Sequence, residues 1–220
     1  MLLEPLVPTI LSVQFIPAAD RHVLAGYGAD PERHTSLGLI TCDQDDSTYV
    51  ALDEATKHAN IDVVFARSFY AGAGHASGPL SGEILGVIAG PDPDEVAAGM
   101  KALVRCLEHD ACFYAANEAG SVAVFPHVIA SLGHYLSAEA GLEPGTAMAY
   151  LVAPPMEATV ALDAALKAAD VQCDKVFTPP TETNFAAAWL SGEQHQCEAA
   201  AEAYAQAVVE VAAFPRQSIR

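Results

Sequence analysis

Apolar runs of strand length alternate with stretches of helical period, and the alternation occurs twice along the chain. In the first half, Ile10–Ile16 reads as a strand and leads into a short helix and an acidic, glycine-containing turn over Gly26–Glu32. Ser36–Cys42 is a short apolar run fit for a buried strand. Tyr49, Leu52, Ala55, Thr56 and Ala59 then keep a helical spacing, which predicts a helix over Thr48–Ala59 with Asp46 or Ser47 as its N-cap. Strands are expected at Ile61–Arg67 and Glu83–Ala89, and Gly90-Pro91-Asp92-Pro93 opens a helix running to Glu108. A further strand is possible at Ala111–Ala116. The second half repeats the order: an apolar stretch at Ser121–Pro126, a helix-like segment to Glu139, a turn at Gly141–Gly145 and a strand at Ala147–Val152. Helix Met156–Ala169 follows Pro154-Pro155, and then come strands Val171–Phe177 and Phe185–Leu190 and helix Glu193–Ala213.

The halves also share wording. Ala51-Leu52-Asp53-x-Ala55-x-Lys57-x-Ala59 returns as Ala161-Leu162-Asp163-x-Ala165-x-Lys167-x-Ala169, half of the 220-residue length later. Each half therefore reads β-α-β-α-β-β-α, and we place the domains at residues 1–113 and 114–220. A second match, Leu-Ser-Gly-Glu at 80–83 and 190–193, sets a strand start against a helix start. Matching Ile88-Ala89-Gly90 to Leu190-Ser191-Gly192 instead keeps strand on strand. No proline- or serine-rich linker separates the halves.

Composition narrows the class. Apolar residues make up 52% of the chain, which suits a globular protein. No apolar run approaches bilayer length, and Glu4 with no basic leader argues against a signal peptide. The five cysteines form no C-x-x-C pair and read as reduced, cytosolic thiols. The net charge of −18 argues against a nucleic-acid partner, because phosphate binding needs a basic face; it would favour cations or amines, or serve solubility alone.

Candidate chemistry is sparse. Asp45 and Asp46 stand at a helix start and Glu83 opens a strand after the glycine-rich stretch Tyr70–Pro79. Taken alone, such acids serve capping and the helix dipole, worth roughly 0.3–1 kcal/mol. A metal-dependent hydrolase using Asp43, Asp45, Asp46 and Glu83 is disfavoured, since no histidine set completes a metal site. None of the eight histidines forms a metal motif. His22, His34, His58, His109 and His195 read as surface residues, and His127 and His134 as core or interface positions on one apolar helix. His75 could catch adventitious metal with Glu83. There is no G-x-S-x-G elbow and no dinucleotide fingerprint. We expect no catalytic residue, no cofactor and no resident metal.

Several strings resemble a known family, the tandem-domain shell proteins of bacterial microcompartments, and most of all those of ethanolamine utilisation. They include Ser36-Leu37-Gly38-Leu39-Ile40, Asp45-Asp46-x-Thr48-Tyr49, Asp53-Glu54-Ala55-Thr56-Lys57 and Arg67-Ser68-x-Tyr70-Ala71-Gly72-Ala73. The second half adds Ala149-Tyr150-Leu151-Val152-Ala153-Pro154-Pro155 and Pro179-Pro180-x-Glu182-Thr183-Asn184. The resemblance implies an α/β fold of the α+β sandwich type: two circularly permuted copies of the shell domain, each a mainly antiparallel sheet flanked by helices. It implies a cytoplasmic homotrimer that mimics a hexagon and tiles with other shell proteins. It also implies a gated central pore, for which Tyr70, Gly72, Gly74, His75, Thr181 and Glu182 are the loop candidates. Small pockets near that pore imply ethanolamine as a ligand. Asp45, Asp46 and Glu83 would supply charge, Phe113 an apolar wall, and Thr183 and Asn184 polar contacts. The alternative is a cytosolic amine-sensing trimer that regulates a partner without forming a sheet. Neither reading involves a membrane.

Overall fold

The computed structural model describes residues 4–68 and 84–216. Its elements run β1 (Pro5–Leu6), β2 (Ile10–Ile16), α1 (Arg21–Gly26), β3 (Ser36–Cys42), α2 (Asp45–His58), β4 (Asp62–Ser68), β5 (Ile84–Gly90) and α3 (Pro93–His109). They continue with β6 (Phe113–Ala115), β7 (Ala123–Ile129), α4 (His134–Ala140), β8 (Ala147–Ala153), α5 (Pro155–Ala168), β9 (Gln172–Phe177), β10 (Ala186–Gly192) and α6 (Gln194–Ala213). From β2 to α3 and from β7 to α6 the order is the same, β-α-β-α-β-β-α, as the hydrophobic pattern predicts. β5 and β10 end on Gly90 and Gly192, so the strand-on-strand match of the halves holds and the Leu-Ser-Gly-Glu coincidence does not.

The chain forms two compact units. One comprises Val7–Ala111 with Gly133–Glu139; the other comprises Met1–Leu6, Cys112–Leu132 and Ala140–Arg220. Each is built on an antiparallel sheet, ordered β2-β3-β5-β4 in the first and β1-β6-β7-β8-β10-β9 in the second. Dropping β1 and β6 leaves the same order in both. The two-residue β1 pairs with β6 and escapes the sequence pattern, because Pro5–Leu6 is too short to show alternation.

In the first unit both faces of the sheet are covered, which is why β3 and β5 read as unbroken apolar runs. Leu37, Val87 and Ala89 pack with Leu24 of α1 and Ala29 on one face. On the other, Gly86 meets Leu52 of α2 and Gly38 meets Met100 of α3. Helix α3 earns its place by spacing, with Val96, Gly99, Met100, Leu103 and Leu107 buried on one side. Asp92 caps it, accepting from the Asp94 and Glu95 N–H groups at 2.9 and 3.0 Å. In the second unit α5 and α6 cover one sheet face through an alanine-rich core that includes Ala149, Leu151, Ala188, Leu190, Ala200 and Tyr204. An aromatic row covers the same sheet elsewhere, in which Tyr150 meets both Phe125 and Trp189 edge-on.

Three expectations are corrected. Helix α2 begins at Asp45, one turn earlier than predicted, with Gln44 as N-cap and Asp45 and Asp46 inside the first turn. Hydrogen bonds of Ser47 and Thr48 back to Gln44 make that turn. His127 and His134 do not share a helix, since His127 lies on β7 and His134 opens α4. His34 is not a surface residue: it is buried, with Nε2 3.0 Å from Asp62 and Nδ1 accepting from the Asp30 N–H.

Candidate functional site

Helix α2 and the end of β4 build the first part of the site. The Asp45 carboxylate is buried at the first turn of α2. Its Oδ2 accepts from the Ser68 hydroxyl at 2.6 Å and its Oδ1 from the Asp46 N–H at 2.9 Å. One turn along, the Tyr49 hydroxyl accepts from the Ser68 N–H at 3.0 Å. Both α2 side chains thus grip Ser68, the last residue of β4, where the chain enters the glycine-rich stretch. Their spacing of four residues puts them on one helix face, which is how a single helix can hold one strand end twice. Sequence reasoning missed Tyr49 and Ser68, although both lie within the strings that carry the family resemblance. Asp46 is half-buried beside this clamp. Asp43 points elsewhere and accepts from the Thr9 N–H at 2.7 Å.

The second unit holds Phe113, Thr181, Glu182, Thr183 and Asn184. The loop after β9 closes a turn on itself: the Thr181 hydroxyl donates to the Phe185 carbonyl at 2.7 Å, and the Asn184 N–H donates to the Thr181 carbonyl at 3.2 Å. Asn184 has φ 59°, a left-handed conformation that asparagine tolerates better than most residues. Glu182 and Asn184 are exposed, whereas Thr181 and Thr183 are half-buried. Phe113 is buried against Phe125, with ring centroids 4.8 Å apart, and meets Phe185 edge-on at 6.3 Å. Phe185 therefore joins the apolar wall candidate to the loop that carries Thr183 and Asn184.

The sequence candidates thus fall into two local groups, Asp45 and Asp46 in one unit and Phe113 with Thr181–Asn184 in the other. Glu83, Tyr70, Gly72, Gly74 and His75 lie outside the described residues. Among the described residues no group of three or more His, Cys, Asp or Glu side chains is arranged to hold a metal ion. No described helix is long and apolar enough to cross a membrane. All five cysteines are free thiols, with Cys42, Cys106 and Cys197 buried and Cys173 exposed. Burial pushes the Cys106 thiol up to about 12, so it is an apolar filler and not a nucleophile.

Comparison with known proteins places this geometry. The BMC domain family matches residues 36–121. The bacterial microcompartment shell protein EutL of Clostridium perfringens is 51% identical over 208 residues, covering 94% of this chain and 95% of that protein. Its crystal structure superposes with a TM-score of 0.92 at 50% identity, covering 98% of this chain and 97% of that one. The ethanolamine utilization protein EutL of Leptotrichia buccalis superposes with a TM-score of 0.93 at 46% identity, covering 99% and 100%. With about half of the residues identical over nearly the whole of both chains, this chain belongs to the EutL family of bacterial microcompartment shell proteins.

Proposed function

We propose that the chain is a structural tile: it forms a trimer that packs with other shell proteins into a hexagonal layer around an ethanolamine-utilising microcompartment in the cytoplasm, and it catalyses no reaction. The observation that carries this reading is the near-complete alignment with EutL shell proteins at about half identity. The local geometry is in keeping with it. The described candidate acid Asp45 is engaged in holding a strand end, a structural use of the carboxylate.

The gate of the tile is formed by residues 70–79 of one half and the Thr178–Asn184 turn of the other, brought around a central opening by threefold symmetry. The Asp45–Tyr49 clamp on Ser68 fixes one root of the first loop, and the Thr181 and Asn184 hydrogen bonds fix the second. Ethanolamine is the ligand of this reading, with Asp46 and Glu83 as the carboxylates for its ammonium group, while Asp45 is engaged by Ser68 and holds the strand end. Phe113 as an apolar wall, with Thr183 and Asn184 as polar contacts, forms a separate candidate group in the other unit, suited to a small amphipathic ligand.

Light scattering on the dilute protein is expected to give a trimer, and electron microscopy of concentrated protein a planar hexagonal array. A monomer or dimer at every concentration would refute the tile, and a trimer that never forms arrays would favour the amine sensor. Calorimetry with ethanolamine is expected to give binding that Glu83→Gln weakens about tenfold, the loss of one charge-assisted contact. Unchanged affinity removes Glu83 from the site.

A further inference from the structure

Helix α6 is the counterpart of α3. Each follows the glycine that ends a strand, Gly192 or Gly90, and starts after a cap residue, Glu193 or Asp92. Burial keeps the same register, with Cys197, Tyr204 and Val208 buried where α3 buries Val96, Leu103 and Leu107. On this match Ala201 and Ala205 stand in the places of Met100 and Val104, and Glu202 and Gln206 in those of Lys101 and Arg105.

The exchange opens a groove and reverses its charge. In the first unit Met100 lies over the sheet, its Sδ 2.5 Å from where a Cβ on Gly38 would sit. In the second the alanines are too short to fill the matching space, and a groove of about 410 Å³ lies between α6 and β7. Its floor is apolar: Pro126 and Val128, alternate residues that share one face of β7, with Ala201 and Ala205. Its rim is Glu198, Glu202 and Gln206, a turn apart along α6. Two carboxylates at that spacing repel and weaken the helix, and α6 has no Lys or Arg to offset them. Glu198 receives a neutral donor, the Gln194 side chain at 2.9 Å. The Glu202 carboxylate has no hydrogen bond or ion pair among the described residues.

An added strand does not suit this place. The Val122 carbonyl accepts from the Ala116 N–H, so residues 122, 124 and 126 aim their backbone groups at the β6 side of β7. Among the described residues β6 pairs only with Ala123 and Val124, and on the open edge beyond them Pro126 has no N–H to offer. A helix needs no backbone partner and can lie along α6 instead.

We propose that the groove between β7 and α6 docks an amphipathic helix of a partner protein, its apolar face on the alanine, proline and valine floor and its lysine or arginine side chains on Glu198 and Glu202. Long basic side chains suit such a rim, because their stems cover apolar surface while their charged ends reach the carboxylates. The matching face of the first unit, filled by Met100 and bearing Lys101 and Arg105, repels the same partner. The site therefore occurs once per chain, in the second half alone.

Fluorescence anisotropy of the full chain tests this with a labelled synthetic helix, alanine and leucine on one face and lysine on the flanks. Saturable binding is expected, and a peptide with glutamate for each lysine should bind at least about tenfold more weakly. Glu198→Lys with Glu202→Lys is expected to reverse that preference, whereas Glu108→Lys with Glu118→Lys, the same change in net charge, should leave it unchanged. Equal effects of the two pairs would show that the peptide follows net charge, and the proposal fails; it fails too if no binding saturates. If Glu198→Lys with Glu202→Lys changes the oligomeric state by light scattering without peptide, the occupant is a second copy of the chain and the partner helix is wrong. Should that variant misfold, a photoreactive group on the peptide's apolar face decides with the wild type. Mass spectrometry is expected to find it on residues 126–128 or 198–206, and labelling elsewhere overturns the site.

Discussion

Asp53 and Asp163 are the same letter in the same phrase, and their environments make them different groups. Asp53 is fully buried and satisfies two backbone N–H groups at the start of α4, whereas Asp163 pairs in solvent with Lys167. Asp53→Ala would orphan both donors in the interior, at a cost of about 3 kcal/mol, and urea unfolding should show it. Asp163→Ala should change chain stability by less than about 0.5 kcal/mol. The pH dependence has a definite sign. Burial holds the Asp53 carboxyl above its ordinary value of 3.8, although the Leu136 and Gly133 N–H groups pull the other way. The native state thus binds this proton more tightly than the unfolded chain. That contribution is complete below the ordinary value and is lost as pH rises through the native one. The stability advantage of the wild type over Asp53→Asn should therefore narrow as pH is raised above 3.8. Thiol chemistry follows burial in the same way. Iodoacetamide is expected to label Cys173 in the native protein and to reach Cys42, Cys106 and Cys197 only on unfolding, as peptide mass spectrometry would report.

At the scale of elements, α2 and the segment that opens α4 approach closely at Gly133. Gly133 has no side chain because Thr56 Oγ1 and the Asp53 carbonyl stand 2.3 and 2.6 Å from where a Cβ would sit. Neither can withdraw, since Thr56 is itself hydrogen-bonded to that Asp53 carbonyl at 2.7 Å. Gly133→Ala should cost about 2 kcal/mol by forcing the segment off the helix, a loss that thermal unfolding would register. Other elements were legible from pattern alone. β3 has the predicted boundaries, and α3 was marked by Asp92-Pro93 at its start and a 3.6-residue period along it. The start of α2 was not, because the deciding contacts are side-chain bonds of Ser47 and Thr48 to Gln44, a residue with no special capping preference.

For the whole molecule, a charge of −18 makes like copies repel, so association should tighten as salt screens that repulsion. Light scattering across an ionic-strength series is expected to show the oligomer population rising with salt. The amino-acid sequence by itself determined the duplicated β-α-β-α-β-β-α plan, because apolar periodicity is a local property that survives divergence of the rest. It also marked the acids at the head of α2 and the loop carrying Thr183 and Asn184. Only the tertiary structure decided what those residues do. It set Asp45 and Tyr49 on Ser68, joined Phe113 to the Asn184 loop through Phe185, and gave Asp53 a helix to cap. It also decided that two copies of one phrase differ, since Gly133–Glu139 packs on α2 at Asp53 and Thr56 whereas Val160 and Leu166 of α5 stay exposed. Burial is settled by residues distant in sequence, so identical words can specify a buried cap in one half and an open surface in the other.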